Sequence, residues 1–464
     1  MNYSIHQVKS YYEKINWSPI FGRSIQFFLM FASIKVITSL LPPYEYGVYG
    51  VMLATVGIFS YVLIGPIGLA INRFMSQWVA EGVIKRIYEK FFIYALIISL
   101  LTALVASFSS EEFTLSFASI FSYMLTYTVA YTLIPNLNIL GKEKQFFFLL
   151  NLSLLAGIVC GYFLIKVFEP TYQYWLFGIS LGNLLGSLMA YVIYQRGIFK
   201  KVASTQPLDY RKYIAFSSYI LVGSIFTWGY LMGYRYIAES QIGYKSLGIY
   251  LACVMIATGI ISAYEQVVSG VYLAKFYRDV DANSNAWNIY ARKMITTSVP
   301  VCAFVITSCE IISKNVLSDQ YSDHFIFIQI CAISEMFRVI ISTLGYKYHG
   351  DKRTQITVIP SFILCTLSNV LIYLYVEKYG AIFIPIAMTV ASVVVVAIYI
   401  IVIGKEARSL VQYFIFYALL CLMVLYPFNL FLDFYNFKNS YLDAIRLIYY
   451  SSVTGLIFLY ALSK

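Results

Sequence analysis

The stretch from Lys35 to Phe74, KVITSLLPPYEYGVYGVMLATVGIFSYVLIGPIGLAINRF, decides the fold. It joins a helix end carrying one lysine to a Pro-Pro turn, a Gly-Val-Tyr start and a long apolar run broken by glycines. The same order returns from Arg235 to Phe276 as RYIAESQIGYKSLGIYLACVMIATGIISAYEQVVSGVYLAKF. Gly47-Val48-Tyr49 aligns with Gly248-Ile249-Tyr250 at an offset of 201 residues. The basic residue stands 12 positions before the glycine in the first copy and 13 in the second. A duplicated apolar unit with a cation inside each copy is the pattern of a membrane transporter.

The composition agrees with a membrane chain. Of the 464 residues 60% are hydrophobic and 12% charged, with a mean hydropathy of +0.74; soluble domains carry about 25% charge. So little charge cannot cover the surface of a soluble protein of this length, which makes the chain an integral membrane protein. The net charge of +11 does not indicate nucleic acid, because most cations sit in short loops between apolar runs, where they set membrane orientation. Cys160, Cys253, Cys302, Cys309, Cys331, Cys365 and Cys421 all fall inside apolar runs, as small buried hydrophobes rather than a disulfide framework. His6, His324 and His349 are scattered, so no metal site and no cofactor is expected. Residues 1–19 are polar and aromatic, and no small-residue cleavage site follows the first apolar run, so that run is expected to stay as a span.

A helix needs roughly 20 apolar residues to cross the hydrocarbon. Fourteen stretches meet that criterion, the first at about 20–41, the seventh and eighth at 213–238 and 247–274, and the last two at 410–432 and 444–462. Backbone groups in lipid must be satisfied internally, so an all-α protein is expected. Alternate loops, beginning with the N-terminus, hold 24 of the 33 lysines and arginines and the opposite loops hold five. That bias puts both termini in the cytoplasm. The polar segment QRGIFKKVASTQPLDYRK, residues 195–212, reads as a basic cytoplasmic linker. It would divide an N-terminal six-helix lobe, 1–194, from a C-terminal one, 213–403, related as parallel repeats. Residues 404–464 then supply two additional helices. The external loops are short and leave no room for a soluble active site, so an enzyme is not expected.

The candidate functional residues are charges placed in apolar runs. Lys35 lies about 9 Å along the helix axis from the end of its span, where an uncompensated charge costs a few kcal/mol. Its stem could snorkel to the interface, but Arg235 occupies the matching place in the second copy. Two cations facing a shared cavity suit an anionic headgroup such as a diphosphate. Glu335 and Arg338, three apart in the tenth span, share a helix face. They are either a packing pair or a substrate arginine with a carboxylate that orients it or exchanges protons. Glu265 and Glu310 stand toward span ends, as rim residues or coupling carboxylates. Arg73, after the second span, is an orientation charge or lines the inner mouth beside Asn72. Gly178, Gly182 and Gly186 form a GxxxGxxxG packing face. The glycines and proline of the second span, Gly65 and Pro66 among them, weaken that helix as hinges do, and Gly47 and Gly248 open the two repeated helices.

With these residues in view, LLPPYEYGVYG followed by a glycine-rich span and NRF resembles the bacterial polysaccharide exporters. These are the O-antigen and lipid-linked oligosaccharide flippases of the multidrug/oligosaccharidyl-lipid/polysaccharide superfamily. Lys35, Leu40, Leu41, Pro43, Tyr46, Gly47 and Tyr49 carry the match. Where the family often has Asp-Arg at the end of the seventh span, this chain has Tyr234-Arg235, which removes an acidic proton carrier and keeps the arginine. The resemblance implies a two-lobed transporter in the bacterial inner membrane. Its substrate would be an undecaprenyl-diphosphate-linked oligosaccharide, flipped from the inner to the outer leaflet by alternating access. Lys35, Arg235 and Arg338 would hold the diphosphate, and coupling to H+ or Na+ stays open. The partners implied are the lipid-linked oligosaccharide, membrane lipids, and polysaccharide polymerase or chain-length machinery. A multidrug-type antiporter would favour an acidic cavity, and a peptidoglycan-precursor flippase shares the span layout. A polysaccharide polymerase or ligase would need a long external loop bearing arginines or a histidine; the external loops here are short and carry five lysines and no arginine.

Overall fold

A computed structural model of the chain describes residues 17–108, 112–199, 210–279, 285–350, 353–434 and 440–463. Most of the expected basic linker and the expected N-terminal cytoplasmic segment lie outside them. Among the described residues there are helices and no strand, as an apolar environment requires of a chain that must close its own backbone hydrogen bonds.

The helices are α1 (Trp17–Leu40), α2 (Pro43–Phe59), α3 (Gly65–Ala80), α4 (Ile84–Ser107), α5 (Phe113–Ile139), α6 (Glu143–Val167), α7 (Tyr172–Ile193), α8 (Tyr210–Trp228) and α9 (Tyr234–Asp279). They continue with α10 (Ala286–Val316), the one-turn α11 (Asp319–Ser322), α12 (Phe325–Gly350), α13 (Val358–Tyr379), α14 (Phe383–Ile403), α15 (Lys405–Phe434) and α16 (Ser440–Ser463). Twelve helical stretches among the described residues are long and apolar enough to cross a membrane, against the fourteen expected. The difference arises at two places. The seventh and eighth expected spans run on as one helical stretch of 54 residues, Ile220–Leu273, and within α16 the apolar stretch among the described residues is Arg446–Leu462. Within the long stretch Gly243 has φ 74° and ψ 166°, a conformation only glycine adopts without strain, so the axis breaks there.

Proline chemistry shapes the second span. Pro42 is the extended N-cap of α2 and Pro43 its first residue, where a missing N–H costs nothing. Further on, Pro66 cannot donate to the carbonyl four residues before it. The helix widens into a π-turn over Ser60–Ile64 ahead of it, which joins α2 to α3. A second π-turn, Gly229–Gly233, joins α8 to α9.

The chain divides into two compact units. Unit 1 comprises Met1–Ser33 and Leu63–Ser218, and unit 2 comprises Ile34–Val62 and Tyr219–Lys464. In unit 1, α6 and α7 approach most closely along Gly178, Gly182 and Gly186. A methyl group on Gly178 would strike the Gly161 backbone, and one on Gly182 the Ser153 carbonyl and the Gly157 backbone. Backbones brought this near gain dispersion contacts that larger residues would prevent. In unit 2, α10, α12 and α14 surround buried Thr297, Ser308, Ala332, Val339 and Ala387, with α2 lying along α9.

Candidate functional site

Unit 2 brings the two copies of the repeated stretch together. A Cβ on Gly47 would collide with the carbonyl of Tyr244, and a Cβ on Gly248 with the carbonyl of Pro43. Pro43 and Tyr244 each stand four residues before the glycine of their own copy, so the contact is reciprocal and obeys the 201-residue offset. A side chain at either glycine would come nearer than the 3.0 Å that real Cβ atoms respect. The two helices can therefore meet backbone to backbone only because both copies keep glycine there.

Around this crossing, donors from the rest of unit 2 take carbonyls of α1 and α2. Ser318 Oγ donates to Thr38 O at 2.6 Å, Tyr321 Oη to Leu41 O at 2.8 Å, and Trp228 Nε1 to Ala54 O at 2.9 Å. Thr38 and Leu41 end or follow α1, where carbonyls lack partners inside the helix. The Thr55 and Tyr236 hydroxyls are 2.7 Å apart, and the Tyr44 and Tyr244 rings meet edge to face at 5.4 Å.

Both cations of the repeat lie on this seam. Lys35 is exposed, and its Nζ donates to Leu317 O at 2.7 Å. Leu317 caps α10, so the ammonium sits at the negative end of a helix dipole, a placement worth up to about 1 kcal/mol. Arg235 donates from one terminal nitrogen to Gly50 O at 2.8 Å. Its Nε is buried with no hydrogen-bond partner among the described residues. Each cation thus rests on a backbone dipole.

Arg338 is differently placed. Its Nε donates to Glu335 at 2.6 Å, and a terminal nitrogen donates to Glu265 on α9 at 2.9 Å. Ser342 Oγ donates to the other Glu265 oxygen at 3.4 Å. The pair expected on one helix face is therefore a triad reaching across two helices, with two carboxylates around one guanidinium. All three side chains are less than a quarter exposed. Charge-assisted contacts of this length are strong, and two of them on one guanidinium offset part of the cost of burying the charges.

The remaining candidates stand apart from the triad. Glu310 pairs with Lys314 at 2.7 Å, one turn along α10, with both side chains about half exposed; such pairs contribute little. Arg73 is exposed on α3, in unit 1. Gly65 and Pro66 open α3 just after the π-turn. Residue types alone did not single out the buried tyrosines between Arg235 and the triad. Tyr234 lies against Arg235, and its ring is 6.1 Å from that of Tyr250. Cys331 Sγ contacts the Tyr250 hydroxyl at 3.9 Å. Tyr230 bonds the Ser392 hydroxyl at 3.2 Å and faces Glu335 and Arg338. Tyr250 carried one available signal, as the third residue of the repeated Gly-x-Tyr. Tyr230 is one of 44 tyrosines and carried none.

No protein-family model matches the sequence, and no curated protein sequence matches it. Solved structures do resemble its fold. The lipid II flippase MurJ in an inward closed conformation superposes with a TM-score of 0.66 at 15% identity, over 96% of this chain and 97% of its own. A multidrug resistance MATE family transporter of the MOP superfamily, outward-facing, gives 0.51 at 14% identity, over 84% and 94% of the two chains. A mutant of the Vibrio cholerae MATE transporter VcmN gives 0.52 at 11% identity, over 84% and 96%. At 15% identity or less these likenesses establish architecture: the chain has the helical fold that MurJ and the MATE transporters of the MOP superfamily share.

Proposed function

We propose that the protein is a membrane flippase. Its substrate is an undecaprenyl-diphosphate-linked oligosaccharide, an O-antigen, capsule or exopolysaccharide repeat unit, carried from the inner to the outer leaflet by alternating access. The observation that carries this reading is Arg235: a guanidinium held in an apolar span, with a buried Nε that has no hydrogen-bond partner among the described residues, beside a seam that also holds Lys35. An unfilled cationic donor of this kind suits a phosphate, which arginine takes through parallel hydrogen bonds. A cationic drug would be repelled, which speaks against a multidrug-type antiporter. In this reading there are fourteen spans, six in each of the lobes 1–194 and 213–403, which the linker 195–212 joins, and two in 404–464, with both termini in the cytoplasm. Lys35 and Arg235 take the diphosphate. Arg338, already matched by two carboxylates, packs the second lobe instead.

Opening the seam is the step that admits or releases substrate. In a background lacking the native cysteines, Tyr44→Cys with Tyr244→Cys, joined by a short reducible cross-linker, should stop surface glycan export, and reduction should restore it. Export that continues through the cross-linked protein refutes the mechanism. Lys35→Gln with Arg235→Gln should abolish export while the protein still inserts; unchanged export refutes the headgroup assignment. A second reading, flipping of a peptidoglycan precursor, is favoured by the likeness to MurJ over nearly the whole chain. Rescue of cells depleted of their lipid II flippase, without rescue of glycan export, would select it.

A further inference from the structure

Unit 1 contains a preformed groove that the transport reading does not use. It has a volume of about 520 Å3 and lies between the first turns of α4 and the last turns of α5 and α7. That is within the range of ligand pockets, roughly 300–1,000 Å3. Its wall is almost wholly apolar, and Phe92, Leu188 and Tyr191 are about half exposed along its mouth. The floor is rigid. Asn136 Nδ2 donates to the Tyr88 hydroxyl at 2.9 Å, the Tyr194 hydroxyl donates to Leu133 O at 3.2 Å, and Phe199 packs against the Tyr88, Tyr191 and Tyr194 rings. The groove persists because α7 leans onto α6 through its glycine face, and beyond Ile193 it unwinds into a π-turn, Tyr194–Ile198. Its other flank is left unfilled.

Two polar features make this more than a generic lipid-facing crevice. One end of the groove carries a lysine beside a glutamate, with a second lysine near Phe199. Lys85 lines the groove, and Lys142 Nζ lies 3.5 Å from where a Cβ on Gly197 would stand, two residues before Phe199. Glu89 is 3.9 Å from Lys85, with both side chains more than half exposed, so the pair is weak and the lysine can turn to another anion. The second feature is Ser187, which lines the groove, is 5% exposed, and has a buried hydroxyl with no hydrogen-bond partner among the described residues. A donor in hydrocarbon requires an acceptor. The acyl ester carbonyls of a diacyl lipid, below its phosphate, provide one; a polyprenyl chain has none.

We propose that this groove binds an anionic diacyl phospholipid. One acyl chain lies in the apolar trough, an ester carbonyl accepts from Ser187, and the phosphate meets Lys85 and Lys142 at the basic end of unit 1. The site is separate from the seam in unit 2, and the inference does not depend on the identity of the transported lipid.

The test uses the full chain in nanodiscs with phosphatidylglycerol bearing a photoactivatable acyl chain, and labelled peptides are mapped. Label should appear on α4 and α7 near Phe92 and Leu188. Unlabelled phosphatidylglycerol should compete about fivefold better than phosphatidylcholine with the same chains, the margin expected of one lysine near an anionic surface. Lys85→Gln, an exposed change that leaves the fold intact, should remove most of that margin. Leu188→Trp, which fills the trough, should move the label elsewhere. Equal competition by the two lipids, or labelling unchanged by Leu188→Trp, overturns the proposal. Displacement of the probe by undecaprenyl diphosphate at equal concentration assigns the groove to a polyprenyl lipid, and so overturns the diacyl assignment.

Discussion

Replacing Arg338 by glutamine should damage the protein far more than replacing either of its carboxylate partners. The guanidinium makes two charged contacts, 2.6 Å to Glu335 and 2.9 Å to Glu265. Unit charges about 4 Å apart attract by roughly 4 kcal/mol at the effective dielectric of partly buried protein sites. Removing the arginine forfeits both attractions and leaves two carboxylates facing each other among apolar helices. Orphaned ions in such settings cost about 3–5 kcal/mol. Glu265→Gln is the opposite case. It leaves Glu335 and Arg338 balanced one to one, and the glutamine oxygen can still accept from the guanidinium, so a change within about 1 kcal/mol is expected. The assay is thermal unfolding of the purified full-length protein in one detergent, with export scored in parallel. Arg338→Gln should lower the melting temperature by on the order of 5–10 °C, and Glu265→Gln by a degree or two at most. Adding Glu335→Gln and Glu265→Gln to Arg338→Gln should recover much of the loss, because the uncompensated charge goes with them. Equal melting temperatures for Arg338→Gln and Glu265→Gln would refute the charge balance drawn here. So would a triple variant no better than the single one.

The other predictions concern backbone contacts. Gly248→Ala should destabilise by about 1–3 kcal/mol or more, because the new methyl meets the Pro43 carbonyl rather than a side chain that could move; Gly47→Ala should do the same against Tyr244, both read as lost melting temperature and lost export. Gly182→Leu should separate α6 from α7 in unit 1, since its Cβ meets the Ser153 carbonyl and the Gly157 backbone, and should raise limited proteolysis of purified protein. Gly68→Ala is the control: nothing lies within 4 Å of its Cβ, and in a helix interior alanine should add up to about 1 kcal/mol. Trp228→Phe keeps the ring and removes the donor to Ala54 O, so about 1 kcal/mol should be lost, with faster amide exchange in the last turns of α2.

What could be read in advance follows from what leaves a mark in residue types. The repeat of α2 in α9 was legible because Gly47 and Gly248 keep the same place in both copies; that each glycine meets the other copy's backbone was not, since the partners are the carbonyls of Tyr244 and Pro43. The weak point at Gly65-Pro66 was legible because a missing N–H is a property of the residue itself, though its form, a π-turn over Ser60–Ile64, was not. Glu335 and Arg338 were legible as a pair because three residues along a helix fix their neighbourhood. Glu265 was not legible as their third member, since its approach depends on how α9 lies against α12. The partners of Lys35 and Arg235 were hidden for another reason. Leu317 and Gly50 take part through carbonyl oxygens, which every residue carries, so no residue type announces them.

That same feature connects the seam to the proposed mechanism. A crossing held by cation-to-carboxylate ion pairs would leave bare carboxylates in an apolar setting whenever it opened, at several kcal/mol each. Here the donors of the seam, Lys35, Arg235, Trp228, Ser318 and Tyr321, all rest on carbonyl oxygens. Parting them exposes neutral dipoles on one side and cations on the other. Water can satisfy the carbonyls that end or follow α1, and a phosphate can take over the cations, so separation and anion binding favour each other. The fully compensated triad at Arg338 is the converse arrangement. It gains nothing from an incoming anion, so in the proposed mechanism the triad packs unit 2 while the seam is the part that opens.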